Sequence, residues 1–131
     1  ICSLEKNKDS FNLEFAGANN PLWILEQNSN EIQEIKGDKQ PVGIHLESKP
    51  FTNHQFKLKK GDKIYLFSDG YPDQFGGEKG KKFKYGPFKK LIIESSSTTL
   101  DNQQDILLKK IENWKGQLEQ VDDICIIGIK I

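Results

Sequence analysis

The chain has no methionine, two cysteines, two histidines and no surplus of charge, because its 19 basic and 19 acidic side chains balance. A neutral chain lacks the basic surface that nucleic acid or another polyanion requires. Cys2 and Cys125 both sit in apolar runs, with no spacing that suggests a disulfide framework or a thiolate metal site. They read as two reduced core thiols, which points to a cytoplasmic setting for this segment and leaves membrane attachment of a parent protein open. No apolar run in the sequence reaches the length of a membrane span, and no signal peptide is expected before the domain. Without methionine the chain includes no translation start, and Ile1-Cys2-Ser3-Leu4 reads as the inside of a strand. These features predict a fragment of a longer protein. At 131 residues it amounts to one domain or part of one. His45 and His54 stand nine residues apart in loop-like sequence and suggest neither a metal pair nor a catalytic dyad.

What is present is mostly strand pattern. Phe11 to Phe15 alternates apolar and polar residues, Ala16 to Pro21 is a turn, and Leu22 to Leu25 is a second strand. Glu31 to Ile35 alternates again, so the three strands predict a meander of antiparallel neighbours. A loop from Lys36 to Gly43 precedes an alternating strand at Thr52 to Leu58 and an apolar one at Lys63 to Phe67. Asp73 to Lys82 is glycine-rich and basic and reads as a loop. Pro87 suits the first position of a helix running to about Glu94. Ser95 to Thr99 supplies capping residues, and a second helix follows from about Leu100 to Trp114. Leu107, Ile111, Trp114 and Leu118 form its apolar stripe, and Gly116 stops it. Ile124 to Ile131 closes the chain as a strand apolar enough to be central. The order predicts an α+β domain, antiparallel sheet with helices on one side.

Two segments carry the chemistry. Lys60-Gly61-Asp62 leads into the strand Lys63 to Phe67, which ends on Ser68-Asp69-Gly70; near the C-terminus Val121-Asp122-Asp123 precedes an apolar strand. If those strands pair antiparallel, Asp69 meets Asp122 and Asp123 at one edge of a sheet. Converging carboxylates repel unless a cation sits between them. Taken alone, Asp-Gly after a strand is an ordinary turn, and two acids before a strand are solvated edge residues. Four lysines between Glu78 and Lys84 offer attraction for a phosphorylated partner, or are simply a solvated loop. Ser68 has no base placed beside it and reads as a turn or supporting hydroxyl rather than a nucleophile.

Four pieces, in order, resemble the PPM-type metal-dependent protein phosphatases, in particular their SpoIIE-like branch. They are Phe15-Ala16-Gly17-Ala18-Asn19-Asn20-Pro21, Lys39-Gln40-Pro41-Val42-Gly43, Lys60-Gly61-Asp62 through Ser68-Asp69-Gly70, and Val121-Asp122-Asp123-Ile124. The resemblance implies an antiparallel β-sandwich flanked by helices, with residues 1–131 forming the C-terminal portion of the domain. It also implies a pair of Mg²⁺ or Mn²⁺ ions, whose bridging water attacks phosphoserine or phosphothreonine. Asp69 and Asp122 carry over as metal ligands, Gly70 as a carbonyl ligand, and Asp123 as a weaker candidate. Aspartate suits such hard cations, and paired ions polarise phosphate and acidify water. The family's earlier ligands, an acid and an Asp-x-x-Gly-His segment, are not found and would precede Ile1, so the isolated fragment is expected to be inactive. By resemblance the substrate is a bacterial signalling protein of the anti-anti-sigma type, with sensor domains N-terminal and a two-component-like role. The alternatives are a catalytically inactive module that docks a regulatory partner and a purely structural domain.

Overall fold

The computed structural model describes residues 1–8, 10–43 and 49–131, so His45 lies outside the described residues. The chain divides into two compact units, one of Ile1–Leu66 with Ile127–Ile131 and the other of Phe67–Ile126.

The first unit is a sandwich of two antiparallel sheets. One sheet orders β1 (Cys2–Lys6), β2 (Phe11–Phe15) and β5 (His54–Leu58), with β2 in the middle. The other orders β4 (Ile32–Ile35), β3 (Leu22–Leu25), β6 (Lys63–Phe67) and β9 (Ile126–Lys130). Alternation decides what faces inward. Leu13 and Phe15 of β2 and Leu58 of β5 are buried in one cluster with Leu22, Ile24, Ile35 and Ile64 of the other sheet. Burying each such side chain stabilises by about 2 kcal/mol before chain entropy is charged against it.

The expected meander holds for β3 and β4, which pair antiparallel, but β2 and β3 lie in different sheets. The turn from Ala16 to Pro21 carries the chain across, and β2 pairs instead with β1 and β5. That turn is packed backbone to backbone. A Cβ at Gly37 would lie 3.0 Å from the carbonyl oxygen of Gly17, and Asp38 N–H donates to that same oxygen at 2.8 Å. The first resemblance segment is thus braced at Gly17 against Gly37 and Asp38, which lie just before the second. Asp62 is also structural. Its buried carboxylate accepts the Lys59 N–H at 2.8 Å and the Gln27 N–H at 2.9 Å, while Gly61 turns with φ +98°. Gly61 N–H donates to Ile131 and Ile131 N–H to Asp62, so the start of β6 meets the end of β9 and the two run antiparallel.

The expectation that the last strand is central is corrected: β9 is an edge strand, and Ile127 is half exposed. It also begins at Ile126, two residues later than its apolar run. The two-core-thiol expectation holds in part. Both cysteines are free, and Cys2 packs partly against the sandwich core, where burial pushes its thiol up. Cys125, however, is exposed. His54 is the first residue of β5 rather than a loop residue, its ring stacked on Phe56.

The second unit holds α1 (Gly70–Asp73), the short hairpin of β7 (Phe75–Gly76) and β8 (Lys81–Lys82), α2 (Tyr85–Ser95) and α3 (Leu100–Lys115). The region read as loop, Asp73 to Lys82, therefore contains a two-residue ladder, and a turn of helix ends at its first residue. Helix α2 starts two residues before Pro87. A proline at the third helical position is tolerated because the first N–H groups have no intrahelical acceptor anyway. Thr99 caps α3, its hydroxyl accepting the Asn102 N–H at 3.3 Å, and Gly116 ends it with φ +57°. Leu107 and Ile111 are buried as expected and Trp114 partly so, but Leu118 is exposed beyond the helix end. Buried Gln103 joins that face, its amide donating to Ile92 O and Ser95 Oγ.

An aromatic chain ties the unit together. Phe67 meets Phe88 edge-on at 5.2 Å, Tyr71 stacks on Phe88 at 4.6 Å, and Phe83 bridges Tyr71 to Trp114. Tyr71 Oη donates to the Leu107 carbonyl at 2.9 Å, which pins α1 to α3. Burial pushes the Tyr71 phenol well above its ordinary value of 10.0. The folded state therefore holds the proton more tightly than the unfolded chain. That contribution to stability is whole below pH 10 and is lost as pH rises past it, because only the unfolded chain ionises freely. Tyr71→Phe is expected to cost about 1 kcal/mol at neutral pH through the lost hydrogen bond. It should also make the alkaline decline less steep, as urea unfolding between about pH 7 and 11 would show.

Candidate metal centre

Strand β6 delivers its last residue, Phe67, into the aromatic core, and the chain then turns at Ser68 into α1. Asp69 occupies the N-cap of that one-turn helix with an exposed side chain that makes no capping bond. Its backbone is held, since its carbonyl accepts the Asp73 N–H at 3.0 Å. A rigid main chain with a free carboxylate at its surface suits a group that waits for a ligand.

The two acid segments, more than fifty residues apart, come together here. Ser68 Oγ donates to the Asp123 carbonyl at 2.7 Å and accepts the Cys125 N–H at 2.9 Å, while Ser68 N–H donates to Cys125 O at 3.0 Å. On the other side of Asp69, Gly70 is buried against the same backbone. A Cβ there would run into the Asp123 carbonyl, with its carbon at 2.8 Å and Ile124 Cγ1 at 3.2 Å. Both neighbours of Asp69 thus touch the Asp123 main chain. Asp122 and Asp123 are exposed, and Asp122 Oδ1 accepts the Asp123 N–H at 2.7 Å, which fixes the local turn. Among the described residues neither the Asp69 nor the Asp123 carboxylate has an ion-pair partner.

The donor chemistry fits a hard divalent cation: exposed carboxylates on short side chains, fixed backbone, and no nitrogen or sulfur ligand. The number of donors is small. Among the described residues no three His, Cys, Asp or Glu side chains cluster as a ligand set. Asp69 and the Asp122–Asp123 pair would supply only part of a coordination shell, and Mg²⁺ and Mn²⁺ ordinarily complete theirs with water and phosphate oxygens.

The lysine-rich hairpin lies against α1. Lys84 N–H donates to Pro72 O at 2.6 Å, and Lys82 Nζ pairs with Asp73 at 2.9 Å and stands over the Phe75 ring. The bonds of Ser68 and the staple made by Asp62 are what sequence reading missed. A hydroxyl beside an Asp-Gly pair is one signal that points to the first; nothing in sequence spacing announces the second.

The model of the Stage II sporulation protein E (SpoIIE) family matches residues 1–131. The chain belongs to the SpoIIE family. Solved structures agree with that placement in fold. The SiaA-PP2C domain of Pseudomonas aeruginosa is 27% identical, with TM-score 0.82 over 93% of this chain and 50% of its own length. The PP2C phosphatase domain of SpoIIE from Bacillus subtilis, with a fragment of its regulatory domain, is 19% identical with TM-score 0.66, covering 93% of this chain and 34% of its own. The phosphatase domain of that same Bacillus subtilis protein, presoaked with Mn, is 14% identical with TM-score 0.59, covering 100% of this chain and 56% of its own. The chain thus spans from about a third to somewhat over half of the length of these three structures. A search of curated proteins gives no match. Among the described residues no helix is long and apolar enough to cross a membrane.

Proposed function

We propose that this chain forms the C-terminal portion of a metal-dependent serine/threonine protein phosphatase domain, with Asp69, Gly70, Asp122 and Asp123 on its metal-binding rim. The observation that supports this reading most directly is the joint contact of Ser68 and Gly70 with the Asp123 main chain, which sets the two acid segments side by side. Asp69 and one or both of Asp122 and Asp123 would hold Mg²⁺ or Mn²⁺, with the Gly70 carbonyl as a further oxygen. Bound there, the cation supplies Lewis acidity toward phosphate and toward water. The protein's own part is to fix the carboxylates in place, to keep their charges unpaired by lysine, and to leave their tips in solvent where a phosphoserine can reach them.

The remaining ligands belong to the half of the domain that this chain does not span. The substrate is a phosphorylated signalling protein, of the anti-anti-sigma type by family resemblance, with sensor domains N-terminal to the domain in the parent and the catalytic domain itself in the cytoplasm. The hairpin with Lys79, Lys81, Lys82 and Lys84 lies beside α1 and offers positive charge to such a partner.

The test is hydrolysis of a phosphoserine protein and of p-nitrophenyl phosphate by the intact domain, with Mn²⁺ and after chelation. Hydrolysis that appears with Mn²⁺ and disappears with chelator is the expected result. Turnover indifferent to chelator overturns the metal reading, and absence of turnover under every condition favours the docking module instead.

A further inference from the structure

We propose that the Ser68 hydroxyl is a positioning group that holds the Asp122–Asp123 segment in register with Asp69 for cation binding. The inference rests on the reading of those acids as metal ligands and adds to it a residue that touches neither metal nor substrate. Its basis is the three hydrogen bonds that the hydroxyl and backbone N–H of this one residue make across the two segments. The hydroxyl hydrogen is spent on the Asp123 carbonyl, an oxygen lone pair accepts the Cys125 N–H, and the Ser68 backbone N–H reaches the Cys125 carbonyl.

The three bonds bracket Ile124 and fix the chain on both sides of it. Asp123 is the first residue of that clamp and Asp122 precedes it, in a stretch with no helix or strand of its own. Its other bonds are local: Gln120 Nε2 donates to the Asp122 carbonyl at 3.0 Å and the Asp123 N–H to Asp122 Oδ1 at 2.7 Å, so only the clamp ties it to Ser68. Asp69 follows Ser68 directly, so the clamp links the two acid segments over the shortest covalent path available. Gly70 complements it sterically, letting the Asp123 carbonyl come close, whereas Ser68 holds it there by hydrogen bonds. Without the hydroxyl, the Asp123 carbonyl and Cys125 N–H would turn to water, and the acids would sample positions that do not converge.

The pair Ser68→Thr and Ser68→Val tests the hydroxyl itself, because threonine and valine share a shape and differ only in that group. In the intact domain, Mn²⁺ affinity would be followed by the spectroscopic signal of free Mn²⁺, and melting temperature would be recorded without metal. Ser68→Thr is expected to bind Mn²⁺ within about twofold of the unaltered domain. Ser68→Val is expected to weaken binding roughly 10- to 100-fold, the usual cost of losing a group that orients a ligand. Melting without metal should differ little between the two. Equal Mn²⁺ affinities for the valine and threonine variants, whether both high or both low, overturn the positioning role alone. If the unaltered domain fails to bind Mn²⁺ while its Asp69→Asn variant behaves identically, the metal reading falls and this inference falls with it.

Discussion

Asp69→Asn is expected to reduce Mn²⁺-dependent hydrolysis by the intact domain by at least about 10³-fold, roughly 4 kcal/mol of transition-state stabilisation. Asparagine keeps the shape and one carbonyl oxygen but removes the charge that a hard cation requires. The same change should leave the fold nearly untouched. Asp69 is exposed, its side chain makes no cap bond, and the bond that does hold α1 uses its main-chain carbonyl. A surface substitution of that kind stays within about 0.5 kcal/mol. The two measurements together are diagnostic. Added Mn²⁺ should raise the melting temperature of the unaltered domain, since a ligand bound only by the folded state stabilises it, and should not raise that of the variant. Full activity in Asp69→Asn would remove Asp69 from the metal-binding rim.

Much of this site was legible before any coordinates, and the physics explains which parts were. The strand Lys63–Phe67 could be bounded on both sides because a Gly-Asp turn precedes it and an Asp-Gly turn follows. The Gly116 stop and the Leu107–Ile111 stripe were similarly local. Sheet membership was not local. The alternation of Phe11–Phe15 and the apolar run of Leu22–Leu25 announce strands but are silent on whether the six residues between them fold back within one sheet or cross to another. The isoleucine run before Ile131 misled for a related reason: an apolar strand reads as central, yet β9 is an edge in this chain, with Ile127 half exposed. The hairpin of Phe75–Gly76 with Lys81–Lys82 escaped notice because two-residue strands have no periodicity to detect. What fixes it is tertiary: Gly77 N–H donates to the Trp114 carbonyl at 2.8 Å, and Trp114 Nε1 donates to Gln74 O at 3.1 Å. The candidate ligands were nameable from sequence because turn-adjacent acids recur in a fixed order. The grip of Ser68 was not, because its partners lie 55 and 57 residues away.

Gly70→Ala should be strongly damaging, and its effect separates contact from conformation. Gly70 is the first residue of α1 and does not have positive φ, so its backbone suits alanine. The obstacle is space: the added methyl runs into the Asp123 carbonyl, with the carbonyl carbon at 2.8 Å and Ile124 Cγ1 at 3.2 Å. A flexible side-chain tip would yield cheaply. A carbonyl held by Ser68 would not, and the segment must shift as a whole. Overpacking of this kind costs about 3 kcal/mol at the upper end of its usual range. For a domain of this size that corresponds to roughly 10 °C in melting temperature. The shift also draws Asp122 and Asp123 away from Asp69, so Mn²⁺ affinity should fall along with stability. Gly86→Ala provides the comparison. A Cβ at Gly86 meets nothing within 4 Å, and the residue lies within α2, where alanine is the better helix former, so that change should be neutral or stabilise by about 0.5 kcal/mol. Melting curves of the two variants, each with and without Mn²⁺, decide the matter. If Gly70→Ala melts and binds Mn²⁺ as Gly86→Ala does, then the Asp123 backbone does not rest on Gly70, and the convergence of the acids on this rim loses its structural basis.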